Sequence, residues 1–375
     1  MGVKNYTFKI IVSIAILTLL TGACTAGPAP TLSPATAVSL PATAAPVALP
    51  SALPTTTPVT RPAVTQGTPS VTGQAATPAQ PSPVPTLTTA TPATAPAAGT
   101  APAAKVPVFS HVMLIVLENH EYGGVIGNST QMPVFNQLAG ENTLLTHYYA
   151  VSHPSLPNYI ALVSGDTQGI TTDCTNCFVN ATNLADLLNK TNLTWKTYQE
   201  DMPSPCFVGS ASTYAQKHNP FIYFNDLRTD AELCQANVVP LTQLDTDLAN
   251  GVLPNFSFIM PNLCNSAHDC GLDVADRWLG AMITKLTSAK SYDANSLIIV
   301  TFDEGQGNHS CCGLPKSAGG QVATLLISPL AKAGFQDPTP YSHYSILKTL
   351  SAAWGIPELG HAADPETNVI QAPWK

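Results

Sequence analysis

The sequence predicts an α/β fold with a mostly parallel central sheet flanked by helices, in one folded domain. Apolar runs of strand length alternate with segments of helical periodicity, which is typical of parallel sheets. Two of these runs, Leu114–Leu117 and Ile299–Phe302, end abruptly in acidic and amide side chains. In a parallel sheet the carboxyl ends of strands share one edge, and ligands bind beyond it.

The predicted elements follow one another from residue 112 onward. Val112–Leu117 is a continuous apolar run, as expected for a central parallel strand, and Ser155–Val163 has its proline in the first helical turn, where proline is tolerated. Asp273–Ala289 carries apolar side chains on one helical face. The other predicted strands are Leu144–Val151, Thr194–Tyr198, Phe256–Met260, Ser296–Phe302 and Val322–Ser328, and the other predicted helices are Leu184–Leu188, Leu241–Leu248 and Tyr344–Trp354.

The first 26 residues are typical of a secretory signal. A basic stretch precedes the apolar run Ile10–Leu20, which is too short for a comfortable membrane span. The small residues before Cys24 resemble a bacterial lipobox, in which Cys24 would be acylated. This predicts an extracellular protein tethered to the cell surface as a lipoprotein and so held at the membrane by its N-terminal lipid anchor. Simple cleavage and an uncleaved anchor are the alternatives.

Residues 27–104 are rich in Pro, Ala and Thr, and Arg61 is their only charge. They contain almost no large apolar side chains, so burial cannot offset the entropy of ordering them. They predict a disordered linker, stiffened by its prolines, in front of a catalytic domain at 105–375.

The folded part is acidic. Of the 15 Lys and Arg residues only three precede Lys105, whereas all 23 Asp and Glu follow it, so the domain carries a formal charge of about −11. No basic stripe is available to neutralise a nucleic acid backbone, and nucleic acid is not an expected partner.

Eight cysteines follow Cys24, and beyond a signal sequence an even set predicts disulfides. The expected local pairs are Cys174 with Cys177 and Cys264 with Cys270, and Cys206 with Cys234 is a weaker pairing. Zinc binding by the first pair is the alternative, although no second ligand pair accompanies it. Cys311 and Cys312 are adjacent, rarely bond each other in proteins, and are expected to pair elsewhere.

The two acidic strand ends supply oxygen ligands. Glu118 and Asn119 follow one predicted strand, and Asp303 and Glu304 follow another. Such carboxylate and amide oxygens suit a divalent metal ion, and without one the carboxylates would repel each other. Solvated loop acids are the alternative for each residue taken singly.

Ser155 opens the predicted helix Ser155–Val163. A serine there is often only an N-cap, but the same geometry directs backbone N–H groups at an anion. A nearby metal ion lowers the pKa of such a hydroxyl and prepares it for attack on phosphorus. Asn158, one turn later, is then positioned to donate to a phosphoryl oxygen.

Four histidines lie in polar, loop-like segments: His153, His218, His268 and His343. Histidine can hydrogen-bond a phosphate oxygen or protonate a leaving group near neutral pH. A structural role is the alternative for each of them.

Five motifs stand in order along the chain: Leu117–His120, Ser152–Gly165, Lys217–Phe221, Thr301–Gly305 and Ser342–Leu350. They resemble the phosphoesterase family of bacterial and fungal acid phosphatases and non-specific phospholipases C, within the alkaline phosphatase-like superfamily. The resemblance runs from about His111 to Ala363 and implies an alkaline phosphatase-like fold and a metal-dependent phosphoric ester hydrolase.

The resemblance also implies roles for single residues. Glu118, Asn119, Asp303 and Glu304 match the metal ligands of the family, and Ser155 matches its nucleophile and also contacts the metal. Asn158, His218, His268 and His343 match further active-site positions of the family. No histidine stands beside Asp303, where alkaline phosphatases have one, which favours a single divalent metal ion of open identity.

The motif forms resemble acid phosphatases more than large haemolytic phospholipases. They predict a phosphomonoesterase with a phosphoserine intermediate, acting on a small phosphate ester; a phospholipase C acting on a phospholipid head group is the main alternative. A serine carboxylesterase is more remote, because the chain lacks the Gly-x-Ser-x-Gly elbow. An inactive surface-binding protein is the remaining possibility.

Overall fold

The computed structural model describes residues 105–316 and 318–375, so the predicted signal and linker lie outside the described residues. The strands are β1 His111–Leu117, β2 Thr143–Leu145, β3 Tyr148–Tyr149, β4 Trp195–Gln199, β5 Val238–Pro240, β6 Phe256–Met260, β7 Ser296–Phe302, β8 Thr324–Ile327, β9 Gln336–Asp337 and β10 Tyr341–Ser342. The α-helices are α1 Tyr122–Val125, α2 Pro133–Glu141, α3 Ser155–Ser164, α4 Leu184–Lys190, α5 Asn225–Thr229, α6 Ala231–Asn237, α7 Thr242–Asn250, α8 Leu272–Thr287 and α9 His343–Trp354. Short 3₁₀ turns occupy Gln216–His218, Pro220–Tyr223 and Gly360–Ala363.

The main sheet has eight strands in the order β5-β4-β6-β1-β7-β8-β2-β9. Adjacent strands of this sheet pair in parallel from β5 through β4, β6 and β1 to β7, and β2 pairs in parallel with β9. Within the described ranges β8 alone is antiparallel to its neighbours β7 and β2. The predicted α/β fold with a mostly parallel sheet is confirmed. No helix in the same ranges combines the length and the apolar character needed to cross a bilayer.

β1 lies at the centre, between β6 and β7, and its apolar run from Val112 to Leu117 is almost completely buried. Such runs suit strands covered on both faces. The parallel register sets Leu117 opposite Phe302. The next residues of the two strands, Glu118 and Asp303, therefore emerge side by side at the carboxyl edge of the sheet.

The predicted strand Leu144–Val151 is two strands. β2 pairs with β8 and β9 in the main sheet, whereas β3 pairs with β10 in a separate two-stranded sheet. Apolar composition alone does not show this change of partner, because both short strands are largely buried.

α3 carries the predicted serine at its first residue and ends at Gly165, which has a φ of 74°. A side chain at this glycine would collide with the carbonyl oxygen of Leu359. Glycine therefore serves both as the left-handed end of the helix and as the point of close approach to the segment after α9.

The structure contains the disulfides Cys174–Cys177, Cys206–Cys234 and Cys264–Cys270, so the three predicted pairs are confirmed. The zinc alternative for the first pair is wrong, because both sulfurs are used in the bond. Cys311 and Cys312 bond each other, and the expectation that they pair elsewhere is wrong. The other six cysteines of the domain already have partners. Four disulfides are typical of proteins from oxidising compartments.

Asp186 and Asp226 form an acidic pair that connects α4 to α5. Burial and hydrogen bonding to Asp226 raise the pKa of Asp186 from 3.8 to about 6. The folded protein thus holds a proton that the unfolded chain releases, so this pair's contribution to stability falls as pH rises from about 4 to about 6.

We expect Asp226→Asn to raise the free energy of unfolding at pH 7.5 by about 1 kcal/mol, after allowing for solvent screening of this half-exposed pair. The amide removes the carboxylate repulsion and can donate to Asp186. The gain should disappear at pH 4.5, and denaturant titrations at the two pH values measure it. Glu232→Gln, which neutralises an exposed carboxylate on α6, is the matched control. An equal gain at both pH values would contradict the explanation.

Candidate active site

Three carboxylates meet at the carboxyl edge of the central strands. Glu118 directly follows β1, and Asp303 and Glu304 directly follow β7; all three are buried. Asn119, which has a φ of 53°, donates its main-chain N–H to Oδ1 of Asp303 over 2.9 Å. A hydrogen bond from the main chain of Asn119 to the side chain of Asp303 thus joins the ends of β1 and β7.

Ser155, at the start of α3, faces this group. Its Oγ lies 3.2 Å from Oε2 of Glu118 and 3.1 Å from Oε1 of Glu304, and the side chain is only 1% exposed. The structure therefore brings together one hydroxyl and the carboxylates of two distant segments.

The carboxylates strongly perturb one another. Burial, and then the neighbouring Asp303, raise the pKa of Glu118 well above its usual value. Burial and Glu304 raise the pKa of Asp303 to about 7, and burial raises the pKa of Glu304 against the opposing effect of His153. A group of buried acids this close is costly unless positive charge compensates it.

The donor set fits a divalent cation. Oδ2 of Asp303 is buried and has no hydrogen-bond partner within residues 105–316 and 318–375, which is rare for a carboxylate oxygen. With Glu118, Glu304 and the Ser155 hydroxyl it forms an oxygen-rich cluster of the kind that hard cations prefer.

Glu118 also lies close to two histidine side chains, which could be nitrogen ligands of a metal ion. Its Oε1 accepts a hydrogen bond from the Tyr159 hydroxyl and lies 3.2 Å from Nε2 of His218, without hydrogen-bond geometry. Burial holds the pKa of His218 well below its usual value. Glu118, His218 and His268 offer ligand atoms that all lie within 4.8 Å of one another, so this group could also hold a metal ion.

Lys217 adds positive charge on this side of the site. Its Nζ lies 3.3 Å from Nε2 of His268 and 2.9 Å from Oδ2 of Asp173. Oδ1 of Asp173 accepts the N–H of Leu156, so this first-turn donor of α3 is already used and cannot bind an anion. Asp173 thereby holds Lys217 against the start of α3.

Asn158 is placed differently from the prediction. Its Oδ1 accepts the N–H groups of Val151 and Ser152, and its Nδ2 donates to the carbonyl oxygens of Ser152 and Pro154. Both amide hydrogens are committed, so the expectation that Asn158 donates to a phosphoryl oxygen is corrected. The side chain instead holds the turn that presents Ser155.

His343 is also placed differently. It is fully buried, with Nε2 2.6 Å from the carbonyl oxygen of Asp303 and Nδ1 3.1 Å from the Tyr148 hydroxyl. Burial lowers its pKa to about 4. Neither ring nitrogen is free to protonate a leaving group, so the predicted role is corrected: His343 positions the backbone of Asp303.

Two further residues of the candidate active site can be recognised from their spacing to Ser155 in the sequence. Tyr159 stands four residues after Ser155, on the same helical face, which brings its hydroxyl to Glu118. His153, two residues before the serine, bonds Oε2 of Glu304 through Nδ1 and lies 3.0 Å from the Gly307 carbonyl through Nε2. Its pKa is raised, because the contacts with Gly307 and Glu304 outweigh burial.

Glu121 is a third further residue that supports the candidate active site, and no sequence pattern indicated this role. Oε2 accepts the N–H groups of Gln306 and Gly307, each over 2.9 Å, and Oε1 accepts that of Gln321 over 3.1 Å. One carboxylate therefore ties down both ends of the loop that follows Glu304.

We expect Glu121→Ala to lower the free energy of unfolding by about 2–3 kcal/mol, since it leaves main-chain donors without their charged acceptor. It should also lower kcat, because the loop carries the Gly307 contact to His153. Thermal denaturation and steady-state kinetics measure the two effects. Glu141→Ala, an exposed glutamate at the end of α2, is the control, and an equal loss in that variant would contradict the assignment.

Comparison with known proteins identifies the family of this chain. The sequence pattern of the Phosphoesterase family matches residues 128–357, a range that contains Ser155, Asp303 and Glu304, while Glu118 lies just before it. An acid phosphatase of Aspergillus fumigatus is 34% identical over 264 residues, which cover 67% of this chain and 56% of that protein. A phosphatidylinositol-3-phosphatase of Mycobacterium tuberculosis is 32% identical over 273 residues, 71% of this chain and 85% of that protein.

Among solved structures, a protein of the alkaline phosphatase superfamily from Vibrio parahaemolyticus aligns with a TM-score of 0.47 and 12% identity, over 70% of this chain and 72% of its own. The present chain spans just over half the length of the Aspergillus fumigatus relative. The family pattern covers more than half of the 375 residues, and the Mycobacterium tuberculosis relative is matched over most of its length. The chain therefore belongs to the phosphoesterase family.

Proposed function

We propose that this protein is a metal-dependent phosphoric ester hydrolase that works as a phosphomonoesterase through a phosphoserine intermediate. The observation that carries the proposal is the position of the Ser155 hydroxyl, 3.2 Å from Glu118 and 3.1 Å from Glu304. A buried hydroxyl among acids is poorly nucleophilic alone, but next to a cation it becomes a competent nucleophile.

Glu118, Asn119, Asp303 and Glu304 would hold one divalent ion, with Ser155 beside it. When bound, this ion supplies the positive charge that stabilises the serine alkoxide and the charge on phosphorus. Glu118, His218 and His268 are the alternative ligand group.

The residues of the chain account for the remaining steps. Ser155 transfers its proton to the Glu304 carboxylate and its Oγ bonds to phosphorus. The bond to the alcohol oxygen breaks, and that oxygen takes a proton from Nε2 of His268, which Lys217 leaves when it binds the phosphate, while Nδ1 of His268 stays paired with Asp269 over 2.6 Å. In the second half, His268 removes a proton from water, the water oxygen bonds to phosphorus, and Oγ leaves with the proton from Glu304. Lys217, next to His268, binds the phosphate oxygens.

A monoester is the preferred substrate class. Lys217 supplies a positive charge beside His268, which suits the dianion of a phosphomonoester. The two relatives described above are named an acid phosphatase and a phosphatidylinositol-3-phosphatase, which supports this choice. A phospholipase C-type phosphodiesterase is the second candidate, favoured by the family resemblance and by the predicted attachment to a membrane.

The proposed location is the extracellular face of the cell, with the protein tethered through acylated Cys24 and the linker. Four disulfides support an oxidising compartment. The signal-like N-terminus and the lipobox-like residues before Cys24 support the tether.

The full-length protein should be assayed on p-nitrophenyl phosphate, bis-p-nitrophenyl phosphate and dispersed phosphatidylcholine, with and without EDTA. We expect the monoester to be turned over fastest and EDTA to abolish the activity. Faster turnover of phosphatidylcholine would favour the phospholipase. Hydrolysis of p-nitrophenyl butyrate that survives EDTA would favour a carboxylesterase, and no turnover of any ester would favour an inactive binding protein.

A further inference from the structure

A cavity of about 610 Å³ opens beside the segment that leads into α3. This volume falls in the range of small-molecule binding sites. Ser152 lines it, and because three residues span at most about 11 Å, its wall lies within that distance of Ser155. Tyr344 also lines it and directly follows His343, which contacts Asp303. Two separate segments of the chain therefore connect the wall of the cavity to the catalytic group.

Apolar and aromatic groups form one part of the wall. Val151 and Tyr344 belong to a small cluster of buried residues that is separate from the main core, and Leu314 packs against it. The Tyr344 ring lies 5.0 Å from the ring of His361, and the sulfur-bridged Cys312 completes this side. These groups can contact the carbon atoms of a ligand, and an aromatic face attracts a cation.

The hydroxyl of Tyr344 is the second observation that points to a ligand. The residue is only 5% exposed and lines the cavity, yet its hydroxyl makes no hydrogen bond to any residue in the described part of the chain. Asp166 and Asp364 line the same cavity, and burial followed by these two charges raises the pKa of this hydroxyl. The hydroxyl is therefore available to hydrogen-bond a ligand that enters the cavity.

The charged groups around the cavity are mostly acidic. Asp166, Asp364 and Glu366 line it, and no lysine or arginine does among the described residues. Lys348 does not line it, but its Nζ donates to the main-chain oxygen of the lining residue Asp364 over 2.9 Å and offsets part of the charge there, so Asp166 and Glu366 carry most of the negative charge of the wall. His361 pairs with Asp364 over 2.7 Å. This wall repels a phosphate group and attracts a cation.

We propose that this cavity binds an alkylammonium group, so that the substrates of the neighbouring site are phosphomonoesters of amino alcohols. The inference rests on the proposed function for the substrate class, whereas binding of the cation itself does not. The apolar wall would contact the carbon atoms, the Tyr344 ring the cationic head, and the carboxylates its charge. The phosphate would remain on the opposite side, with Ser155 and Lys217.

The test compares two esters of the same shape, phosphocholine and 3,3-dimethylbutyl phosphate, which differ in the charge of the head group. For the full-length protein we expect kcat/KM for phosphocholine to exceed that for the neutral ester by about tenfold, which is the order of the combined attraction of carboxylates screened by solvent. The ratio should fall at least about fivefold in Asp166→Asn/Glu366→Gln. It should stay unchanged in Glu232→Gln, which removes a charge far from the cavity.

A direct binding measurement tests the cavity independently of the hydrolysis reaction. Methylammonium chloride, whose N–H groups can donate to the Tyr344 hydroxyl, is titrated calorimetrically into full-length Ser155→Ala, with sodium chloride at equal ionic strength as the blank. Saturable binding that weakens in Asp166→Asn/Glu366→Gln and in Tyr344→Phe supports the proposal. Absence of saturable binding, or an ester ratio that the double variant leaves intact, would overturn it. If neither ester is hydrolysed, the proposed function fails and the titration alone decides the cavity.

Discussion

Ser155→Ala is expected to lower kcat/KM for p-nitrophenyl phosphate by at least about 10³-fold, because it removes the only hydroxyl that lies between Glu118 and Glu304 among the described residues. Binding by Lys217 and the histidines would survive the change. We therefore expect KM to move much less than kcat, and steady-state kinetics measures both.

The same variant tests the covalent intermediate. Wild-type protein quenched in acid during turnover should carry a phosphoryl group on the peptide that contains Ser155, and the variant should carry none, as peptide mass spectrometry would show. Ser129→Ala, which removes an exposed hydroxyl from the loop before α2, is the matched control and should keep wild-type kinetics. If Ser155→Ala kept more than a tenth of the activity, the nucleophile would have to be another residue.

We expect Asp303→Asn to stabilise the chelated protein and to lower its activity. In the chelated protein the amide removes one charge from a buried group of acids, so the melting temperature should rise above that of chelated wild type. With excess divalent metal the order should reverse: wild type should gain about 3 kcal/mol at a hundredfold excess over Kd, or roughly 5–10 °C, and the variant should gain little. Its kcat/KM should fall at least about 10²-fold.

Asp276→Asn provides the comparison for this experiment. Asp276 is a buried aspartate away from the site, and its carboxylate accepts the N–H groups of Val134 and Phe135 at the start of α2. Its replacement should lower the melting temperature equally with and without metal. If Asp303→Asn destabilised the chelated protein as well, the acidic group would not be under electrostatic strain, and the case for a resident cation would weaken.

Much of the fold is predictable because its signals are local. The predicted strands Phe256–Met260 and Ser296–Phe302 coincide with β6 and β7, since a continuous apolar run between polar residues indicates a strand buried on both faces. The short elements β5, β9 and β10 escaped prediction. Each has only two or three residues, and its strand conformation depends on a partner from elsewhere in the chain.

The residue types of the site follow from the sequence for a similar reason. Side chains that come directly after parallel central strands meet at one edge, so Glu118 and Asp303 are expected to be neighbours once their strands are recognised. Glu121 gave no such signal, because its importance comes from main-chain N–H groups about 185 to 200 residues away.

The order of the elements, the acidic strand ends and the serine at the start of α3 are encoded in short stretches, where periodicity and residue type act over a few neighbours. Assigning Asn158 and His343 to structural roles required the folded chain, because a hydrogen-bonding group serves whichever partner the fold brings near it, and here those partners include main-chain groups of distant or looped segments. The Tyr344 cavity depends on the fold in the same way, since separate segments enclose it and none of them alone has its shape or charge.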